Sequence, residues 1–226
     1  MPLLELEGCS YAPWSQGRGL APFSFGIEEG ETAAVVSDTN EDAHLFLRAL
    51  AGLERPLSGS FIHRGEALDA SDYRRVLAYK RKVGYIASDA AVFSNRTLGE
   101  TLLFPSRYFG EAGTGVLPGE TLALCRHFEI AEKLDLRPAQ AFEEDIRLTV
   151  IVRELAKKPD LLLVERPSTH LDHASHMQVL DHLRLLAGKG QTMVIYSFDR
   201  GLLNEIATQT VTIRNGQLLQ TPGKPG

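Results

Sequence analysis

Three short apolar runs without polar alternation constrain the fold of this chain most strongly. They cover residues 32–36, 160–164 and 192–196. A strand with one solvated face alternates apolar and polar residues, whereas a continuous apolar run is typical of a central strand covered on both faces. Helical patterns lie between these runs, as at residues 44–51. Strands that alternate with helices predict a mainly parallel sheet in an α/β sandwich.

The remaining segments predict the domain organisation. The first third of the chain alternates apolar and polar residues with period two, which is typical of antiparallel strands. A basic amphipathic helix is predicted at residues 73–81, and a glycine-rich stretch at 110–115 interrupts a helical pattern. We predict a single domain, residues 1–226, in which a core α/β lobe covers 1–96 and 141–220, a helical lobe covers 97–140 and a flexible tail covers 221–226.

Composition excludes several classes of protein. The 226 residues include 24 basic and 29 acidic side chains, a net charge of −5, so no broad positive field is available to hold nucleic acid. No apolar run approaches the roughly 20 residues that span a bilayer, and the first residues lack the pattern of a signal peptide. Cys9 and Cys125 lie far apart, without zinc-site spacing. We therefore expect a cytoplasmic protein with two free, buried thiols.

Several short motifs follow one another at characteristic separations. Residues 27–31 (Ile-Glu-Glu-Gly-Glu) precede the first core strand, residues 47–56 follow the first helix, and residues 159–167 lead to Leu171-Asp172. In this order they resemble the nucleotide-binding subunit of ATP-binding cassette (ABC) transporters over nearly the whole chain. The resemblance implies a P-loop NTPase-like sheet sandwich with an antiparallel β subdomain and an inserted helical lobe.

The phosphate loop of that family reads Gly-x-x-x-x-Gly-Lys-Ser/Thr, and here residues 37–44 read Ser-Asp-Thr-Asn-Glu-Asp-Ala-His. The family's lysine contacts the phosphates and its hydroxyl binds magnesium, but Ala43 and His44 stand at these positions. Asp38, Glu41 and Asp42 add carboxylates, and one like-charge pair at about 4 Å costs about 4 kcal/mol at a dielectric of about 20. We expect Asp42 or Glu41 to cap the helix in place of a phosphate. The predicted degenerate cradle comprises Ser37, Asn40, Asp42, Ala43, His44 and Leu45.

The family's catalytic strand ends in Asp-Glu, where the first residue arranges magnesium and the second polarises the attacking water. This strand ends in Glu165-Arg166. Arg166 cannot accept a proton at physiological pH, so the resemblance implies that the usual hydrolytic route is lost. Alternatively, Arg166 is a surface arginine or forms a salt bridge with Glu41 or Asp42.

The other family positions also differ. The Leu-Ser-Gly-Gly-Gln signature falls on residues 141–145, where acids favour the helix dipole but repel an anion. Ser88 replaces the glutamine that senses magnesium, and Phe198 replaces the histidine after the last core strand. Tyr11 or Trp14 could stack on adenine, although a packing role is the more frequent one. The degenerate signature residues are Phe142, Glu143, Glu144 and Asp145.

These replacements together predict a pseudo-ATPase. We expect a degenerate ABC subunit that neither binds ATP productively nor hydrolyses it. It should need no cofactor, neither ATP nor magnesium, and no other metal. Its expected role is that of a structural or regulatory partner of a membrane permease. One alternative is a soluble scaffold or regulatory module outside any transporter. Another is an active ATPase with altered ligands.

The resemblance also implies partners and a location. We expect an integral membrane permease, a homodimer or a heterodimer with another ABC subunit, and a peripheral position on the inner face of the membrane. A basic cluster near residues 74–82 is a solvated face or a contact for lipid headgroups or acidic groups of a partner. Candidate permease contacts, which could instead form the core of the helical lobe, are Phe93, Leu102, Leu103, Phe104, Tyr108 and Phe109.

Overall fold

The computed structural model describes residues 1–89, 92–110 and 115–225. Within these ranges the strands are β1 (Leu4–Tyr11), β2 (Leu20–Ile27), β3 (Thr32–Ser37), β4 (Ser58–His63), β5 (Glu66–Ala67), β6 (Val83–Ile86), β7 (Leu161–Glu165), β8 (Thr192–Tyr196), β9 (Gln209–Arg214) and β10 (Gln217–Pro222). The helices are α1 (Asn40–Leu50), α2 (Tyr73–Arg81), α3 (Leu98–Tyr108), α4 (Gly119–His127), α5 (Glu143–Ala156), α6 (His173–Gly188) and α7 (Arg200–Ile206).

A six-stranded sheet forms the centre of the molecule, in the order β10-β9-β3-β8-β7-β6. Every neighbouring pair is parallel except β10 and β9, which form an antiparallel hairpin at one edge. All residues of β7 and β8 are buried, as expected for strands covered on both faces. The sequence-based prediction of a mainly parallel sheet with an antiparallel portion is therefore confirmed.

A second, four-stranded antiparallel sheet has the order β2-β1-β4-β5. Helix α1 packs between the two sheets, and its fully buried Phe46 contacts Phe25 edge to face, with ring centroids 5.3 Å apart. Phe23 makes a similar contact at 6.0 Å. These rings belong to one continuous apolar core that also includes the inward faces of β3, β7 and β8, so α1 is fixed by packing on both sides.

The segment that contains α3 and α4 packs on α5 through a second core cluster. Cys125, Phe128 and Ile130 are buried there against α5. Thr97 and Glu100 form a capping box that fixes the start of α3. Residues 111–114 of the predicted glycine-rich stretch lie outside the described residues. Cys9 and Cys125 are both buried and free, as expected.

The structure differs from the sequence-based elements in three places. Helix α1 starts at Asn40, four residues before the predicted helix, and α7 follows β8 without having been predicted. The expected tail over residues 221–226 is corrected in part, because Thr221 and Pro222 belong to β10 and pair with Thr210 and Gln209. Backbone pairing with β9 orders these two residues, and Gly226 lies outside the described residues.

Parallel strands bring their carboxyl ends to one edge of a sheet, where ligands of α/β proteins usually bind. Here that edge collects the ends of β3, β6, β7 and β8, and α1 begins beside it. The positions expected to bind nucleotide are therefore brought together by the strand order itself.

We expect Leu162→Ala in β7 to lower the free energy of unfolding by about 2–5 kcal/mol, because a fully buried side chain would be replaced by a cavity. Urea denaturation monitored by circular dichroism measures this loss. Leu219→Ala, at a side chain that is 64% exposed, is the control and should change stability by less than about 0.5 kcal/mol. Equal effects of the two substitutions would contradict the assigned core.

Candidate functional site

A buried carboxylate lies at the centre of the candidate site. Glu165 ends β7 and is only 2% exposed. His44 Nδ1 lies 3.0 Å from its Oε1 and 2.9 Å from its Oε2, and the Tyr85 hydroxyl donates to Oε2 at 2.9 Å. Ser88 donates its backbone N–H to Oε2 at 3.2 Å and its hydroxyl to Oε1 at 2.9 Å. Both oxygens of Glu165 are thus hydrogen-bonded within the protein.

Glu165 and His44 stabilise each other's charged form. Burial alone would raise the pKa of Glu165, but the hydrogen bond and charge of His44, together with the hydrogen bonds from Tyr85 and Ser88, hold that pKa below its usual value. The hydrogen bond to Glu165 raises the pKa of His44 against the opposing effect of burial. Both shifts favour the charged forms of the pair, an imidazolium and a carboxylate. The second ring nitrogen, Nε2, lies 4.0 Å from Oδ2 of the exposed Asp89.

The residues of this chain do not fit the magnesium ion that the family resemblance implies. Mg²⁺ needs oxygen ligands at about 2.0–2.1 Å in a near-octahedral arrangement. Glu165 stands at the family's magnesium-arranging position, but its two oxygens already accept hydrogen bonds from His44, Tyr85 and Ser88. Among the described residues, no group of three or more histidine, cysteine, aspartate or glutamate side chains could hold a metal.

The loop before α1 corrects the predicted helix cap. Thr39, not Asp42 or Glu41, caps α1, because its hydroxyl accepts the Asp42 N–H at 3.2 Å. The Asp42 carboxylate, in a residue that is 1% exposed, turns to the β1–β2 loop and accepts the Arg18 N–H at 2.9 Å. Asp38 accepts the Asn215 N–H at 3.1 Å. Two of the three carboxylates are therefore held by backbone N–H groups instead of standing free.

The other cradle positions are also occupied by local contacts. Asn40 Oδ1 accepts the Tyr196 hydroxyl at 2.6 Å, and the Ser37 hydroxyl accepts the Thr39 N–H at 3.4 Å. Ala43 and Leu45 are 0% and 2% exposed and belong to the apolar core. Of the six predicted cradle residues, these two do not face a ligand.

The acidic signature residues are likewise engaged. Asp145 is buried, forms an ion pair with Lys133 and accepts the Phe142 N–H at 3.1 Å. Glu144 accepts the Asp172 N–H at 3.2 Å, and Glu143 lies 3.0 Å from His170. The expected repulsion of phosphate is therefore reduced at Asp145, whose charge Lys133 offsets, whereas Glu144 and Glu143 contact a backbone N–H group and a histidine ring. Phe142 itself is 79% exposed.

Arg166 presents a cation at the edge of the sheet. Its guanidinium lies 5.4 Å from the centre of the Phe198 ring, and its backbone has a φ of +45°. Within the part of the chain that the structure describes, no carboxylate approaches Arg166 closely enough for an ion pair, so the alternative of a salt bridge to Glu41 or Asp42 is not realised. A guanidinium is a donor only, which suits it to bind an anion and not to abstract a proton.

Sequence reasoning missed Arg147. This arginine of α5 is 5% exposed and donates to the carbonyl oxygens of Ala87, of Glu165 at 3.1 Å and of Arg166 at 3.2 Å. Burial lowers its pKa to about 10, so it remains charged. It joins the ends of β6 and β7 beneath the site. It stands between Ile146 and Leu148 in α5, and a charged residue between two apolar ones was the available signal.

The two candidate stacking residues differ in exposure. Tyr11 is 3% exposed and packs in the core against Phe23, so burial rules it out as a stacking surface. Trp14 is 38% exposed, lies 5.9 Å from the His44 ring and carries the Arg48 guanidinium 4.2 Å from its ring centroid. Trp14 therefore remains as the aromatic candidate beside the site.

Known proteins similar to this chain carry ATP-binding names. Over 229 residues it is 27% identical to the Fe(3+) ions import ATP-binding protein FbpC 1 of Rhodococcus jostii, covering 96% of this chain and 61% of the relative. It is 25% identical over 201 residues to the glutamine transport ATP-binding protein GlnQ of Bacillus subtilis, covering 86% and 80%. The macrolide export ATP-binding/permease protein MacB of Nitrosomonas europaea is 26% identical, and the chain covers 34% of it. No protein-family model matches the chain.

Solved structures agree on the fold. A dimeric post-hydrolysis state of the ATP-binding cassette MJ0796 with ADP and Pi has a TM-score of 0.81 at 17% identity and covers 99% of this chain and 100% of that one. A bacterial Atm1-family ABC exporter with ATP bound has a TM-score of 0.80 at 17% identity, with 98% of this chain and 39% of that chain covered. These likenesses confirm the P-loop NTPase-like fold.

The comparisons contradict the predicted function. The relatives are named as ATP-binding import or export proteins, and nothing among them supports a pseudoenzyme that cannot use ATP. The prediction failed because it counted the acidic residues as free charges, whereas most of them have partners within the chain. It also considered Arg166 only as a lost base and not as a cation for an anion, and it did not consider Arg147.

The names of the relatives agree with the predicted permease and dimer partners, since MacB is itself an ATP-binding/permease protein and MJ0796 is described as dimeric. No helix within the described ranges is long and apolar enough to cross a bilayer. The predicted resemblance is confirmed: the chain has the fold of the ATP-binding cassette and is similar in sequence to ATP-binding subunits of ABC transporters.

Proposed function

We propose that this chain is the ATP-binding subunit of an ABC transporter and that ATP binds at the carboxyl edge of the parallel sheet. The observation that carries the proposal is the Arg166 guanidinium at that edge, which has no ion-pair partner within the described ranges, while the carboxylates of Asp42 and Asp38 already accept backbone N–H groups. Similarity to ATP-binding proteins over 96% of the chain supports it.

Three features of the site would hold the nucleotide. Arg166 provides positive charge for the phosphates, and the N-terminus of α1 adds the favourable end of a helix dipole. Trp14, partly exposed beside His44, offers an aromatic surface for the base. Arg147 holds the ends of β6 and β7 and so fixes the loops that carry Ser88 and Arg166.

The proposed partners are a membrane permease and a second ATP-binding subunit. Binding to the permease would hold the chain at the inner face of the membrane. Three of the six predicted permease contacts, Phe93, Phe104 and Tyr108, are 52%, 42% and 56% exposed. Phe104 contacts the other two rings, with centroid distances of 5.0 and 6.0 Å. Leu102 is buried and packs in the core of the helical segment. We assign the permease contact to the three exposed rings, which provide an apolar surface of the kind that partner segments cover.

We expect ATP to bind the isolated chain with one-to-one stoichiometry, and Arg166→Glu to weaken the affinity at least tenfold because the substitution places a carboxylate against the phosphates. Isothermal titration calorimetry measures both. Arg74→Glu makes the same charge reversal on the exposed surface of α2 and should leave the affinity within about twofold. Lack of ATP binding by the unaltered chain would contradict the proposed function.

For the permease, we expect a photo-reactive amino acid at position 104 to cross-link the chain to a polytopic membrane protein in native membranes, because Phe104 is central to the exposed rings. Mass spectrometry of the cross-linked product identifies the partner. The same amino acid at position 219, where the leucine is 64% exposed on β10, should not form this product. Exclusive cross-links to proteins without membrane spans would overturn the assigned contact.

A further inference from the structure

We infer that His44 is the resident cation of this site and that nucleotide binds as the metal-free anion, with the His44 imidazole in place of magnesium. The inference rests on the proposed function, which it deepens by stating the form of the ligand. It follows from the disagreement between the magnesium that the family resemblance implies and the side chains that stand here.

The carboxylate of Glu165 is already hydrogen-bonded within the protein. It is the buried oxygen group at the family's metal-arranging position, and all of its donors come from the protein. His44 Nδ1 lies 2.9 Å from Oε2, the Ser88 hydroxyl lies 2.9 Å from Oε1, and the Tyr85 hydroxyl lies 2.9 Å from Oε2. A metal could reach these oxygens only by displacing buried donors, which would then lack acceptors. The carboxylate is therefore committed to His44, Tyr85 and Ser88.

Most of the other side-chain oxygens near Glu165 also have partners. Asn40 Oδ1 accepts the Tyr196 hydroxyl at 2.6 Å, and the Asp42 carboxylate accepts the Arg18 N–H at 2.9 Å. Asp89 keeps an exposed carboxylate whose Oδ2 lies 4.0 Å from His44 Nε2. A single exposed carboxylate is a weak site for a cation that sheds its water reluctantly. The described side chains thus offer magnesium no set of converging ligands.

The ring of His44 is held in a fixed orientation. One nitrogen, Nδ1, is fixed by Glu165, which orients the ring and leaves Nε2 on the opposite side. The side chain is 11% exposed, and the Trp14 ring lies 5.9 Å away. Nε2 lies 4.0 Å from Oδ2 of the exposed Asp89, so a protonated imidazole has its second N–H donor on the side away from Glu165. Its positive charge partly replaces that of the family's lysine and magnesium.

A direct test on the unliganded chain uses paramagnetic Mn²⁺ as a probe of metal binding. We expect the imidazole NMR signals of His44, identified by their loss in His44→Asn, to broaden no more than those of His182, which lies between α4 and α6 away from the site. Selective broadening of the His44 signals at low Mn²⁺ concentration would overturn the inference, because it would place a metal at Glu165.

A second test compares ATP affinity in buffer with Mg²⁺ and in buffer with EDTA. We expect the dissociation constants of the unaltered chain to agree within about twofold, and His44→Asn to weaken binding by about tenfold in both buffers. The control His173→Ser, at an exposed histidine of α6, should change neither value. Binding that is tenfold tighter with Mg²⁺ would overturn this inference and leave the proposed function intact. Lack of binding in both buffers would contradict both.

The double variant His44→Ser with Glu165→Asp restores the pair of side-chain types that the family uses around magnesium. We expect Mg²⁺ to tighten its ATP affinity at least tenfold, with correct folding verified by thermal unfolding. A folded double variant that remains insensitive to Mg²⁺ would count against the role given to the His44–Glu165 pair. The measurements on the unaltered chain decide the inference even if this variant does not fold.

Discussion

The buried charge at the end of β7 is the constraint on which the rest of the site depends. A carboxylate that is 2% exposed persists in its ionised form only with compensating partners, and Glu165 has His44 from α1, Tyr85 from β6 and Ser88 from the loop after β6. Arg147 adds a second buried cation that binds the carbonyl oxygens at the ends of β6 and β7. The helix, the two strands and the loop are therefore held in register by one network of charges and hydrogen bonds.

This network also explains why an acidic site can be compatible with an anionic ligand. The repulsion between a carboxylate and a phosphate depends on the electrostatic field around the carboxylate. A neighbouring cation or several N–H groups reduce that field. Asp145 with Lys133 is a pair of this kind, while backbone N–H groups hold Asp38 and Asp42. The guanidinium of Arg166, which is partly exposed, has no ion-pair partner among the described residues.

The fold could be predicted from the sequence because its signals are local. Continuous apolar runs identified the central strands, and short motifs in a fixed order identified the family. The electrostatics of the site could not be predicted in the same way, because its contacts join distant positions: Arg18 with Asp42, His44 with Glu165, and Arg147 with Ala87. A list of acidic residues in one loop contains no information on which of them turn inward. The contacts of Arg147 were missed for the same reason, because its carbonyl partners lie in other segments of the chain.

The hydrogen bond from the Arg18 N–H to the Asp42 carboxylate has a mechanical consequence. It fastens the loop that carries Trp14 to the first turn of the helix that carries His44, and Gly17 passes so close that a Cβ there would lie 2.8 Å from Asp42 Oδ1. Lifting the loop would expose a buried carboxylate and uncover His44 in the same motion. We therefore expect the loop and the helix end to open as one cooperative unit, whose amide protons exchange together with solvent.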